Sequence, residues 1–134
     1  MIQRIHIQNY AIIDELSIEF SHRMNVITGE TGAGKSILMG ALSLILGDRA
    51  DTAVLLQRDK KCVVEGTFII KGKKAVLSFF AANELDLAND PDAGEEVVIR
   101  REIAPSGKSR AFVNDTPVNL EQLRKLSSLL VDLH

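Results

Sequence analysis

The sequence lacks tryptophan and has one cysteine, one tyrosine and three prolines. A lone Cys62 cannot form a disulfide within the chain, and its setting among valines and Phe68 predicts a small buried side chain. So few aromatic residues provide no platform on which single-stranded bases could stack. No apolar run approaches the roughly 20 residues that a membrane-spanning helix needs, and the N-terminus has no charged stretch leading into an apolar one. We therefore expect a cytoplasmic protein with no membrane partner.

The charge balance gives no overall attraction to nucleic acid, because the net charge is only -2. With 134 residues, of which 46% are hydrophobic and 25% charged, the chain has the size and balance of one globular lobe. Within that lobe we expect a core over residues 1–58 and a strand–helix–hairpin–helix extension over 59–134.

Alternating apolar residues predict a hairpin of two strands over residues 2–7 and 13–20. A third strand, about 25–28, leads into a glycine-rich loop. A helix follows from near Lys35 to Leu46, and Gly47 is its expected end. Because this helix is apolar on most of its circumference, we expect it to lie between a sheet and another layer.

The second half predicts a strand over 63–70, a charged turn at 71–74 and a helix over 75–87. After turn residues at 89–94, strands over 97–103 and 110–114 form a second hairpin. Asn119 and Gln122 have capping-box spacing before a leucine-periodic helix. The segment 131–134 could be the end of that helix or a short strand.

The most informative motif is a glycine-rich loop followed by lysine and serine. It consists of Gly29, Glu30, Thr31, Gly32, Ala33, Gly34, Lys35 and Ser36. The glycines let the backbone wrap closely around a polyphosphate, and successive amide groups form an anion nest. The following helix adds the positive end of its dipole. We therefore predict that this loop binds ATP, with Lys35 on the β- and γ-phosphates and Ser36 as a ligand of Mg²⁺.

Two strands precede the loop-bearing one, an order that resembles the ATP-binding-cassette class more than small kinases or GTPases. Seven segments carry a closer resemblance: 5–20, 24–36, 46–50, 101–103, 107–111, 113–114 and 131–134. In these segments the chain resembles, within that class, the structural-maintenance-of-chromosomes-like heads, and in particular the RecN-like family of bacterial DNA repair ATPases. Arg23 departs from the family, which often has glycine there.

The resemblance implies a mixed α/β P-loop NTPase fold, here the N-terminal lobe of an ATPase head with antiparallel strands before the P-loop strand. It also implies an adenine contact near Asn9, Tyr10, Ala11 and Ile12, and a place for Arg49 close to the phosphates or a partner surface. From the residues alone, Tyr10 and Ile12 could instead be hairpin packing, and Arg49 a cation at a helix end.

Hydrolysis would need a magnesium-holding carboxylate at the end of an apolar strand, and only Asp132 is a candidate. The resemblance implies that the acidic strand and signature motif lie further along a longer chain. Its implied partners are the C-terminal half of the same head, a second head and DNA at double-strand breaks, with the full-length protein on the nucleoid. We therefore expect ATPase activity in the full-length protein and little in this chain alone.

Three alternatives stay open: another cassette-type repair or replication head, a self-contained phosphotransferase that uses Asp132, and a non-catalytic interaction module. The basic clusters at 58–61, 71–74 and 100–110 are either solvated edges and turns or a DNA-contacting rim. His6 and His22 have no second ligand at metal spacing and are interpreted as structural.

Overall fold

The structure is a computed structural model that describes residues 2–20, 32–90 and 94–131. The strands are β1 Ile2–Tyr10, β2 Ile13–Glu19, β3 Cys62–Ile69, β4 Ala88–Asp90, β5 Gly94–Ile103, β6 Ser109–Val113 and β7 Thr116–Val118. The helices are α1 Gly32–Ile45, α2 Lys74–Ala82 and α3 Leu120–Val131, with one turn of 3-10 helix at Thr52–Val54. The expected third strand at 25–28 and the loop residues Gly29, Glu30 and Thr31 lie outside the described residues.

The strands form one antiparallel sheet in the order β2-β1-β3-β5-β6-β7, with β4 paired to β5. The pairing of β1 with β3 joins the two halves of the chain, since Ile7 lies opposite Val64 and Ile5 opposite Gly66. The hairpins β1–β2 and β5–β6 confirm the two hairpins expected from alternation.

One face of the sheet carries the core. Its strand residues alternate inward, and all of the following are at most 5% exposed: Ile5, Ile7, Cys62, Val64, Phe68, Val97, Ile99, Ile103, Ala111 and Val113. Helix α1 covers β3 and β5, and α3 lies over β6 and against α2. Gly66 lets α1 approach closely, because a Cβ there would meet Ile45 Cδ1 at 2.5 Å. Cys62 is buried, as predicted.

The structure corrects three helix expectations. Helix α1 begins at Gly32, three residues before Lys35, so that the last five residues of the glycine-lysine-serine motif belong to the helix. It is buried on one side only, and Met39 is 59% exposed. Helix α2 ends at Ala82, not at 87, because the Asn83 side chain bonds back to the Phe79 carbonyl oxygen and Glu84 adopts a positive φ of 54°.

The capping box of α3 is confirmed. The Asn119 side chain accepts from the Gln122 amide at 2.7 Å, and the Gln122 side chain accepts from the Asn119 amide at 2.9 Å. Val131 belongs to this helix, whereas the remaining residues up to His134, including Asp132, lie outside the described part of the chain.

Candidate functional site

The N-terminal end of α1 presents the second half of the predicted phosphate-binding motif. Lys35 and Ser36 are both exposed near the start of the helix, and neither side chain has a hydrogen bond or ion pair with the described residues. The positive end of a helix dipole favours an anion at this position. A lysine ammonium and a serine hydroxyl are therefore available to a ligand here.

The C-terminal end of α1 is, by contrast, closed by a Schellman motif. Gly47 has a φ of 105°, its amide donates to the Leu44 carbonyl oxygen at 3.2 Å, and the Asp48 amide donates to that of Ser43 at 3.0 Å. This pattern confirms Gly47 as the helix end, because glycine adopts such a backbone without steric cost.

A buried arginine from β5 binds the same helix end. Arg101 is 0% exposed, and its Nη1 donates to the carbonyl oxygens of Leu44 and Asp48, each at 2.7 Å. Its Nη2 donates to Ser109 Oγ at 2.7 Å, while Nε has no partner. Burial lowers the pKa of the Arg101 guanidinium, and the Asp48 carboxylate partly opposes that shift. Arg101 is thus a cation at the negative end of the helix dipole.

Helix α3 supplies two further contacts to this end. Arg124 Nε donates to the Gly47 carbonyl oxygen at 3.1 Å, and the buried Ser127 hydroxyl donates to the Ile45 carbonyl oxygen at 3.1 Å. The Arg124 stem packs on Gly47, since a Cβ at that glycine would meet Arg124 Cγ at 2.5 Å. Side chains from both β5 and α3 therefore hold the end of α1.

Asn9, one of the predicted nucleotide-contacting residues, is 5% exposed and adopts a positive φ of 54°. Its Nδ2 donates to the carbonyl oxygens of Gln57 at 3.0 Å and Lys60 at 2.9 Å, and its Oδ1 accepts from the Gln57 amide at 2.7 Å. The amide group is therefore used to hold the segment that precedes β3. Ile12 lies at the hairpin tip and is 75% exposed.

Tyr10 and Arg49 come together in one cleft of about 370 Å³ beside α1. Its lining consists of Tyr10, Gly40, Ser43, Leu44, Arg49, Ala50, Asp51 and Val54. Gly40 makes room for the Tyr10 hydroxyl, because a Cβ at that glycine would overlap it. Partial burial raises the pKa of Tyr10. Ala11 is fixed behind this cleft, where its amide donates to the Val54 carbonyl oxygen at 2.7 Å.

The basic cluster at 100–110 splits between the two faces of the sheet. Arg100 lies on the outer face, where it contacts Glu102 at 3.1 Å and Asp115 at 2.9 Å and stacks over Phe112 at 4.3 Å. Arg101 lies in the core, so the interpretation of that residue as a solvated edge or a DNA-contacting rim is wrong. The role of Arg101 at the end of α1 was not predicted from the sequence.

The part of the chain that the structure describes lacks two kinds of feature. Within 2–20, 32–90 and 94–131, no group of three histidine, cysteine, aspartate or glutamate side chains could hold a metal ion. No helix among these residues is long and apolar enough to cross a membrane.

Comparison with known proteins agrees with this architecture. Over its full length the chain is 37% identical to the DNA repair protein RecN of Haemophilus influenzae and 40% identical to that of Vibrio cholerae. It spans 24% and 23% of those proteins, or about a quarter of their length.

Among solved structures, the fold matches one from work on the structural biochemistry of ATP-driven dimerization and DNA stimulated activation of SMC ATPases. The TM-score is 0.68 at 19% identity, and the match covers 96% of this chain and 78% of the other. This likeness confirms the expected fold, a mixed α/β fold in which an antiparallel hairpin precedes α1. The pattern of the AAA domain family matches residues 4–129. The chain therefore belongs to the AAA domain family.

Proposed function

We propose that this chain is the nucleotide-binding lobe of an ATPase head that acts in DNA repair. The observation that carries the proposal is the exposed first turn of α1, which presents Lys35 and Ser36 without partners among the described residues. The family match over residues 4–129 supports the same assignment.

In this proposal Gly29 to Ser36 surround the phosphates of ATP. The positive end of α1 and the Lys35 ammonium offset the phosphate charge. The hydroxyl oxygen of Ser36 is a hard ligand of the kind that Mg²⁺ prefers, and its exposure leaves room for the ion and its waters. Mg²⁺ held by Ser36 would supply positive charge that offsets the charge of the phosphates.

Tyr10 and Arg49 are the best placed of the other predicted contacts. Both line the cleft beside α1, whereas the amide of Asn9 already binds backbone groups. Gly40, at the cleft wall, lies five residues after Lys35, or about 8 Å along the helix axis. A nucleotide held at Lys35 could therefore extend toward Tyr10, with Ala11 and Ile12 at the adjoining hairpin tip.

The remainder of the active site would come from elsewhere. Since the chain spans about a quarter of the RecN proteins that it resembles, the acidic magnesium-binding strand would lie in the C-terminal half of the same head. A second head would complete the ATP site, and DNA at double-strand breaks would be the substrate of the whole protein. The lobe would then supply phosphate binding but little turnover alone.

ATP turnover by the full-length protein tests this function. Lys35→Ala removes one charge-assisted contact to phosphate, so turnover at limiting ATP should fall about 10- to 100-fold. Lys108→Ala, at an exposed turn, is the matched control and should retain wild-type turnover. Equal rates for the Lys35→Ala variant and the wild type would contradict the proposal.

A further inference from the structure

The turn that follows α1 is held by two arginines that lie far from it in the sequence. Arg101 binds the Asp48 carbonyl oxygen from β5, and Arg124 binds that of Gly47 from α3. We propose that these arginines are positioning residues for the nucleotide site, which they serve by fixing where Arg49 lies. This inference rests on the proposed function, because it assigns a role in ATP binding.

The bonding of Arg101 is more specific than core packing requires. A buried guanidinium has a high desolvation cost, and no described carboxylate is hydrogen-bonded to this one. Its Nη1 instead spans two carbonyl oxygens, those of Leu44 in the last turn of α1 and Asp48 beyond it. One rigid group thus fixes the turn relative to the helix that carries Lys35.

Arg124 holds the same turn from its other side. Its Nε bonds the Gly47 carbonyl oxygen, and its stem covers the glycine at a distance that excludes any side chain there. Arg124 is exposed and lies on α3. Removing its side chain would therefore take away one restraint on the turn without opening the core.

Arg49 lies in a segment whose backbone is fixed on both sides. Before it, Gly47 and Asp48 are bound by the two arginines. After it, the Asp51 carboxylate caps the Ala53 amide at 2.9 Å. The Arg49 side chain itself is exposed and has no hydrogen bond or ion pair within the described part of the chain. A fixed backbone with a free cationic side chain beside Tyr10 is suited to meet an anionic ligand at a set position.

A purely structural role predicts a different result. If the arginines only stabilise the fold, their loss lowers stability but leaves the ATP affinity of the folded protein unchanged. If they position Arg49, their loss weakens ATP binding in the folded protein, and that loss disappears once Arg49 is absent. A double-mutant cycle separates these two roles.

The experiment measures ATP dissociation constants of the full-length protein by calorimetry, at a temperature where circular dichroism shows every variant to be folded. The variants are Arg124→Ala, Arg101→Lys, Arg49→Ala and the pair Arg49→Ala with Arg124→Ala. Lys125→Ala is the matched control, since Lys125 neighbours Arg124 on α3 and its side chain forms an ion pair only with Glu121 among the described residues, at 3.9 Å. Arg101→Lys keeps the charge but not the fork of donors.

We expect Arg124→Ala and Arg101→Lys each to weaken ATP binding by about fivefold to tenfold, while Lys125→Ala has no effect. In the Arg49→Ala background, Arg124→Ala should cause no further loss. Affinity within twofold of wild type for Arg124→Ala, or a full additional loss in the pair, would overturn the inference. If Arg101→Lys does not fold, the double-mutant cycle of Arg49→Ala and Arg124→Ala tests the inference without it. Failure of the wild type to bind ATP would instead reject the proposed function.

Discussion

The two ends of α1 differ in how their polar groups are used. At the N-terminal end, Lys35 and Ser36 are exposed and unpaired among the described residues. At the C-terminal end, the carbonyl oxygens of Leu44, Ile45 and Gly47 accept from Arg101, Ser127 and Arg124. One end is thus available to a ligand, whereas the other is held by the fold. A helix anchored at its negative end can present its positive end without moving when an anion binds.

The largest effect on the anchored end should come from Gly47→Ala. The new Cβ would require a left-handed alanine and would also collide with the Arg124 stem, since Cγ lies 2.5 Å from its position. Together, strain and collision should lower the free energy of unfolding by about 3 kcal/mol. Urea unfolding of the purified protein measures this loss.

Gly72→Ala is the matched control for that substitution. Gly72 also has a positive φ, 68°, but a Cβ there would have no neighbour within 4 Å. It should therefore show only the backbone strain, about 1 kcal/mol. Equal losses for the two variants would mean that Arg124 does not pack on the turn.

A smaller loss of stability is expected at high pH, and it comes from the buried thiol of Cys62. Burial raises the pKa of the Cys62 thiol to about 11, against an opposing influence from Arg101. An unfolded thiol ionises near pH 8.5, so above that pH the unfolded state loses a proton that the native state keeps. Stability should then fall, by about 1.4 kcal/mol at pH 9.5 relative to pH 7.

The same pH series on Cys62→Ala isolates this contribution from other groups. The difference between wild type and variant should narrow as pH rises from 8 to 9.5, because the variant has no thiol to ionise. A difference that stays constant over this range would show that the thiol does not retain its proton on folding.

The smallest effect should come from Ser127→Ala. Its buried hydroxyl donates to the Ile45 carbonyl oxygen, and loss of that bond should cost about 1 kcal/mol. The neighbouring Ser128 is exposed and bonds a carbonyl oxygen of its own helix, that of Lys125, so Ser128→Ala should change stability by less than about 0.5 kcal/mol. If thermal unfolding shows equal shifts for both variants, the contact between α3 and α1 contributes no stability.

The difference between the ends of α1 also explains what the sequence could reveal. The N-terminal end is encoded by eight consecutive residues, each with a chemical reason for its place. The anchor at the other end combines Gly47, Arg101, Arg124 and Ser127, which only the folded sheet brings together. Gly47 alone could be predicted, because its effect is local.

One signal for Arg101 was nevertheless present. In β5, alternate residues lie on the same face, and the residues that alternate with Arg101 are Val97, Ile99 and Ile103, which face the core. Strict alternation therefore predicts that Arg101 points inward and Arg100 outward. Because both arginines were assigned to one basic cluster, the inward position of Arg101 was not predicted. The short strands β4 and β7 were missed because they are three residues each and depend on pairing with β5 and β6.

Calorimetry of the full-length protein with ATP and Mg²⁺ tests most directly whether ATP binds at the exposed end of α1. The wild type should bind, whereas Lys35→Ala should bind about 10- to 100-fold more weakly while its unfolding transition stays unchanged. An undiminished ATP affinity in the Lys35→Ala variant would contradict the account.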